Sequence, residues 1–364
     1  MAGLNKSGEF SEKISPFLKK KLIELKETYG EDSEEYNAIY FQYIKQDDET
    51  QNTKEDNNRH WEADLIFDGQ EHGVERLYNK CAVLEPTLIC AAHCRYCLRA
   101  NYDMFTLSEG ELTKLARFAG SKLVKDTLNE VLLTGGDPLV VPKRLGFLVD
   151  EIVKHAPNVK IIRIATRLPL HNPSRIDNNI FEVFTKHKDK VRFELATQIN
   201  HEIDLFPESV EAYQKFMNLG VRVYSQNVLL KGVNDNINTL VKLYNRMREV
   251  DIESHYLFHC VPMKGMPHFR TTVAKGIELA KQLSNSGLVS GRAKPMYCCM
   301  TDIGKITMYD GTYVRKDEDK NMVLLRSSYK YETRMENNPN WKLPKTAEVT
   351  DDGHLQMWYL DGTD

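Results

Sequence analysis

From about residue 80 onward, short apolar runs alternate six times with longer amphipathic stretches, and this alternation restricts the fold more than any other feature of the sequence. The apolar runs are AVLEPTLI (82–89), EVLLT (130–134), KIIRIA (160–165), VRFELAT (191–197), VRVYSQNVLL (221–230) and HYLFHCV (255–261). Helical patterns fall at about 107–122, 143–155, 174–187, 207–218, 236–249 and 271–286. Repeated strand–helix units with right-handed crossovers predict a parallel sheet, and six of them predict an α/β partial (β/α)6 barrel. Polar residues gather just after the runs: Gly135, Gly136 and Asp137 after the second, Arg167 after the third, His201 after the fourth. The C-terminal ends of parallel strands are where such folds carry chemistry.

The flanking segments read differently. Ser15 followed by Pro16 predicts a helix start, with Leu18, Leu22, Leu25 and Tyr29 at helical spacing behind it. A second helix is expected over about 33–44, and QDDETQNTKEDNNR (46–59), polar and charged, reads as a linker. Residues 1–60 are thus an expected N-terminal helical extension, 61–290 the barrel, and 291–364 a small C-terminal segment. In that segment PMYCCM and KITMY predict short strands around a turn, and the tail beyond Asn337 shows no readable pattern.

Composition narrows the class. With 41% hydrophobic and 28% charged residues among 364, a sizeable core can form and wholesale disorder is excluded. No apolar run reaches the roughly 18 residues of a membrane-spanning helix. A formal charge of −3 gives no bulk basic footprint for nucleic acid and leaves room only for a local groove. The start MAGLNKSGEF lacks the apolar stretch of a secretory signal, and Ala2 breaks the myristoylation pattern, so a cytoplasmic protein without membrane contact is expected.

The chain has seven cysteines, an odd number that argues against a disulfide scaffold. Cys90, Cys94 and Cys97 crowd into CAAHCRYC, a C-x3-C-x2-C loop behind the first strand. Three soft thiolates bind iron–sulfur or zinc. A structural zinc site needs a fourth ligand at matching spacing. His93, between two of the cysteines, is poorly placed for that, and Cys298 and Cys299 are distant. A cubane on three thiolates leaves one iron open to a substrate or cofactor.

This loop, with Tyr96 before its last cysteine and Gly-Gly-Asp in LLTGGDPL (132–139), resembles the radical S-adenosylmethionine superfamily. CLRANY (97–102), RIATRLPLHNPSRI (163–176), ATQINHEID (196–204) and SQNVLLKGVND (225–235) extend the resemblance to the lysine 2,3-aminomutase family. So do GMPHFRTTVAKGIEL (265–279), SGRAKP (290–295) and IGKITMY (303–309), in the same order. The resemblance implies that Cys90, Cys94 and Cys97 hold a 4Fe–4S cluster whose open iron is chelated by S-adenosylmethionine. One-electron cleavage of that cofactor would give a 5′-deoxyadenosyl radical that abstracts hydrogen from an unactivated carbon. Tyr96 would lie against adenine, and Gly135 and Gly136 would let the backbone approach the cofactor, with Asp137 accepting from its ammonium. Arg167, His201 and Gln226 are the further implied cofactor contacts. Arg99 would hold a substrate carboxylate. Lys305 aligns with the lysine that binds pyridoxal phosphate, the cofactor that takes up the migrating amino group.

The chain departs from the family at defined places. CCMTDIGK (298–305) keeps only Gly304 of a glycine run and has Cys298 where the family has an acid. Val261 replaces a second acid, just after Cys260. Those acids would pair with the distal ammonium of lysine, and a buried unpaired ammonium is costly, so free lysine is not the expected substrate. The basic residue implied nine positions before Cys90 is Cys81, with Arg76 and Lys80 nearby as possible substitutes.

The expected function is a 1,2-amino shift or related radical rearrangement on an amino-acid moiety without a distal ammonium. A variant rearranges an amino acid attached to thymidine in hypermodified viral DNA, which would place the protein in a host cytoplasm. Two other classes are a radical deaminase or dehydratase without pyridoxal phosphate, and a non-catalytic iron–sulfur protein. The expected partners are an amino-acid-like substrate, or an amino-acid-modified nucleotide or DNA, and an electron donor such as flavodoxin or ferredoxin. The apolar stripe of the N-terminal helices would also allow a homo-oligomer.

Overall fold

Strands buried between two layers are apolar along their length, and the six runs behave in this way. In the computed structural model, which describes residues 10–56, 65–70, 73–102, 104–285, 287–308 and 312–364, they form consecutive parallel strands. After helices α1 (Pro16–Tyr29) and α2 (Glu34–Tyr43) come β1 (Val74–Glu75) and β2 (Cys81–Thr87). Then follow α3 (Glu109–Ala119), β3 (Glu130–Gly135), α4 (Pro142–His155), β4 (Ile161–Ala165), α5 (Leu168–His171) and α6 (Asn178–Thr185). The barrel continues with β5 (Arg192–Thr197), α7 (Pro207–Asn218), β6 (Arg222–Leu229), α8 (Ile237–Glu249), β7 (Glu253–His259) and α9 (Val273–Asn285).

The sheet gains one more parallel strand than the apolar runs announce. β8 (Met296–Thr301), beyond residue 290, pairs parallel to β7 through Tyr256↔Met296, Leu257↔Tyr297 and Phe258↔Cys298. It then folds back antiparallel into β9 (Gly304–Thr307). With β1 antiparallel on β2, the nine strands run in sequence order and stay open between β1 and β9, a curled partial barrel.

Strand alternation divides the barrel walls. Val131, Leu133, Ile162, Ile164 and Leu195 point outward and bury against helix residues such as Leu112, Leu115, Leu145 and Leu148. Each such burial stabilises the fold by about 1.5–3 kcal/mol. The residues between them, Leu132, Thr134, Ala165 and Ala196, line the inside.

The N-terminal extension is attached to this barrel. Ser15 caps α1 by accepting from the backbone N–H of Leu18, and Leu18, Leu22 and Leu25 pack with Ile39, Tyr43 and Phe206. Residues 46–56 of the expected linker are fastened down, because Glu49 and Asp56 are buried carboxylates paired with the buried guanidinium groups of Arg95 and Arg270. Residues 57–59 lie outside the described residues.

Behind the barrel, β10 (Tyr313–Asp317), β11 (Met322–Lys330), α10 (Tyr331–Asn337), β12 (Ala347–Val349) and β13 (His354–Leu360) build a second sheet. Its four strands are antiparallel in the order β10-β11-β13-β12. Val323, Leu325, Leu355 and Met357 pack it against Cys299, Ile303 and Ile306 of the β8–β9 hairpin. Among the described residues no helix is long and apolar enough to cross a membrane.

Candidate active site

The end of β3 and the loop after β2 are built around each other. Gly135 has φ 102°, and a Cβ there would lie 2.5 Å from the carbonyl oxygen of Thr87. A Cβ on Gly136 would lie 2.4–2.6 Å from backbone atoms of Leu88 and Ile89. The close approach these glycines permit is therefore to the protein's own chain, immediately before Cys90. Gly136 N–H donates to Thr87 O at 2.7 Å and Asp137 N–H to Ile89 O at 2.9 Å, tying the glycine turn to the cysteine loop.

Cys90, Cys94 and Cys97 line a cavity of about 260 Å³ at the C-terminal rim of the barrel. Burial pushes the Cys97 thiol up to about 11 and raises Cys90 as well, so a cationic partner is needed to hold either as a thiolate. One cation is already beside the trio: Arg167 Nη1 donates to Cys94 Sγ at 2.7 Å. His171 Nε2 stands 3.7 Å from the same sulfur, and burial together with Arg167 keeps its ring neutral. His93 does not line this cavity: its ring stacks on Phe10 at 4.7 Å and its Nδ1 lies 2.8 Å from Ser11 O.

Of the residues singled out in the sequence, Tyr96, Gly135, Gly136, Asp137, Arg167 and Gln226 share this cavity. Tyr96 is buried and donates its hydroxyl to Gln42 Oε1 at 3.2 Å. Gln226 stands where the β6–β7 register shifts, an irregularity that re-aims a side chain. The Asp137 carboxylate accepts from Thr166 Oγ1 at 2.7 Å, Arg167 N–H at 3.0 Å and Leu139 N–H at 3.1 Å. Those internal donors occupy it, and burial still raises its pKa to about 6. Asp137 thus organises the loop while it also lines the cavity. His201 lies outside the cavity: its ring accepts from Ile203 N–H, capping a short turn, and its Nε2 lies 3.3 Å from Glu34 of α2.

Arg99 and Lys305, more than 200 residues apart in sequence, line the same cavity. Arg99 donates Nε to Glu85 Oε1 at 2.6 Å and Nη2 to Glu75 at 3.4 Å, so a substrate carboxylate there would compete with two internal ones. Lys305, paired with Met300 across the β8–β9 hairpin, extends its ammonium between the rings of Tyr78 and Tyr256, 5.1 and 5.6 Å from their centres. The wall where the two family acids are missing is apolar: Val228, Phe258, Val261 and Met300 face the cavity, and Cys298 is fully buried among them.

Neither Arg76 nor Lys80 fills the cation position at Cys81. Arg76 is buried and donates to Thr127 Oγ1 at 3.2 Å, while Lys80 is exposed. The cation is Arg163 of β4, whose Nη2 lies 3.0 Å from Cys81 Sγ and which also pairs with Glu130 and with the Tyr224 hydroxyl. A lone arginine inside the otherwise apolar run IIRIA was the signal for it, since a buried charge implies an inward partner. Gln42, His171 and His259 were also missed.

The residues present fit the groups that the resemblance implies. Among the described residues no three His, Cys, Asp or Glu side chains converge on a single ion position. The three thiols line one cavity, with Arg167 beside Cys94, a donor set that suits a cluster whose ligands bind separate irons. The Lys305 amine, near the rings of Tyr78 and Tyr256 and lining the cavity, is a group that an aldehyde can take up.

No protein-family model matches the chain. It is 30% identical over 261 residues to the L-lysine 2,3-aminomutase of Bacillus subtilis (strain 168), covering 70% of this chain and 53% of that one. It is 28% identical over 263 residues to the L-lysine 2,3-aminomutase of Clostridium subterminale, covering 70% and 60%. The chain therefore spans between about half and three fifths of the length of these relatives. Among solved structures, a radical SAM methyltransferase from Sphaerobacter thermophilus overlaps with a TM-score of 0.44 at 19% identity, over 62% of this chain and 68% of that one. Streptococcus suis SuiB bound to S-adenosylmethionine overlaps with 0.44 at 14% identity, over 63% and 52%.

Proposed function

We propose that this chain, similar over 70% of its length to two L-lysine 2,3-aminomutases, is a radical S-adenosylmethionine isomerase that shifts an amino group on an amino-acid moiety other than free lysine. The observation that carries this reading is convergence: residues from 90 to 305 in the sequence, the three thiols, Arg99, Gln226 and Lys305 among them, meet in one cavity at the strand ends. When bound, a 4Fe–4S cluster with S-adenosylmethionine supplies one-electron cleavage and hydrogen abstraction, and pyridoxal phosphate supplies a carbonyl for an amino group.

The chain's own residues would divide the work as follows. Cys90, Cys94 and Cys97 hold the cluster, and Arg167 stabilises negative charge on the Cys94 sulfur. Tyr96 and Gln226 flank the cofactor. Lys305 holds the aldehyde, and Arg163 takes its phosphate in place of the residue missing at Cys81. Arg99 binds the substrate carboxylate, exchanging its long 3.4 Å contact with Glu75 for it while Glu85 keeps the guanidinium in place. The apolar wall of Val228, Phe258, Val261 and Met300 excludes water and accepts a neutral side group. That wall supports a second reading, in which the amino acid is attached to a pyrimidine nucleoside, whose flat ring suits such a surface.

The test is an anaerobic screen of reduced, reconstituted protein for 5′-deoxyadenosine formation with amino acids, amino-acid-modified nucleosides and modified DNA. A substrate-dependent burst with a compound lacking a distal ammonium is the expected result. Turnover of free lysine to β-lysine at a normal rate contradicts the substrate assignment. A burst that is unchanged in Lys305→Ala moves the reading to a deaminase or dehydratase without pyridoxal phosphate.

A further inference from the structure

We propose that the end of helix α2, through Gln42 and Tyr43, is a positioning element of the cluster and cofactor site, so that the N-terminal extension is a working part of that site. The inference rests on the reading above, in that it takes the three thiols to hold a cluster.

Gln42 is completely buried, and its side-chain oxygen accepts from three segments that are far apart in sequence. Arg167 Nη2 donates to it at 3.1 Å, the Tyr96 hydroxyl at 3.2 Å and Asn200 Nδ2 at 3.1 Å. The amide nitrogen donates to Asp204 Oδ1 at 3.1 Å and to Ala38 O at 2.8 Å, which fixes which way the amide faces. Its backbone carbonyl accepts from the N–H of Arg95, inside the cysteine loop, at 2.8 Å. One side chain of α2 thereby connects the cysteine loop, the loop after β4 and the loop after β5.

The guanidinium of Arg167 is the group most affected. Its Nη1 goes to Cys94, its Nε to Gln198 O at 3.0 Å and its Nη2 to Gln42. Its faces are enclosed by Tyr43 and Tyr96, whose ring centres lie 5.3 and 5.5 Å away. A buried cation held at fixed distance from a ligand sulfur favours the more negative, reduced state of whatever that sulfur binds. Without the Gln42 oxygen the guanidinium loses one of its three anchors, and Tyr96 loses its hydroxyl partner. The cation can then turn away from the sulfur, and the ring can turn away from the cofactor.

The experiment compares full-length, anaerobically reconstituted wild type with Gln42→Met, Gln42→Glu and Tyr43→Leu. Iron content, cluster midpoint potential and S-adenosylmethionine affinity (read from the spectral change of the reduced cluster) are measured for each. Gln42→Met is expected to load the wild-type amount of iron, to shift the potential to more negative values and to weaken cofactor binding about tenfold or more. Gln42→Glu keeps the acceptor for Arg167 and Tyr96 but loses the donor to Asp204 and sets a second carboxylate against it, and its added negative charge beside Arg167 is expected to shift the potential to more negative values than wild type. If Gln42→Met does not fold, Tyr43→Leu removes the ring against the same guanidinium and is expected to show the same shift in potential. Loaded variants with wild-type potential and affinity overturn the proposal and leave the isomerase reading standing. A wild-type protein that takes up no cluster overturns the reading itself.

Discussion

Arg163 reaches across from β4 to place its Nη2 3.0 Å from the Sγ of Cys81, so a cation stands where β2 supplies none. It is held there by Glu130 and the Tyr224 hydroxyl.

If that guanidinium receives a phosphate, Arg163→Met lowers the affinity for pyridoxal phosphate about tenfold or more, the effect of removing a charge-assisted contact. Lys80→Met, on an exposed side chain, leaves it unchanged. Titration by absorbance checks both, and Lys305→Ala is expected to abolish the long-wavelength band of lysine-bound pyridoxal.

Gly136→Ala tests the joint between β3 and the cysteine loop. The added methyl meets backbone atoms of Leu88 and Ile89 inside 2.7 Å, and backbone cannot yield as a side chain can. A loss of about 1–3 kcal/mol in unfolding free energy is expected, with reduced iron uptake because the loop carrying Cys90 must move. Denaturant titration and iron analysis measure the two effects.

Much of the barrel was legible because strand and helix periods are local. EVLLT at 130–134 became β3, and the helix expected at 207–218 became α7 with the same limits. β8 was harder to place: PMYCCM reads as a strand, but which neighbour it pairs with depends on β7, some forty residues earlier. The alternation of Leu355, Met357 and Tyr359 in β13 was present in the sequence and overlooked. Gln42 could not have been found this way. Its side-chain partners outside α2 lie between 54 and 162 residues away, and nothing in EEYNAIYFQY distinguishes it from a solvated glutamine. His201 shows the opposite case: a polar residue just after a strand resembles a site residue, and here its ring caps a turn outside the cavity.

Acid should destabilise the fold through His259. Burial lowers its pKa to about 3, and its Nδ1 lies 2.8 Å from the Tyr297 hydroxyl. The unfolded chain binds this proton near pH 6.5. Between those values the unfolded state holds more protons than the folded one, so stability is full above about 6.5 and falls as pH drops toward 3. From pH 6.5 to 5 the loss from this one ring is about 2 kcal/mol. His255, lowered to about 4 by burial and by Lys305, acts in the same direction. Denaturant midpoints at pH 7.5 and 5 check this, and His259→Gln is expected to narrow the gap between them.

The most direct test of the account is electron paramagnetic resonance of the anaerobically reconstituted, reduced protein with and without S-adenosylmethionine. About four irons per chain, a 4Fe–4S signal that changes when the cofactor is added, and loss of that response in Cys94→Ala are expected. A protein that binds zinc at these thiols, or a cluster whose signal is the same with and without the cofactor, would contradict it.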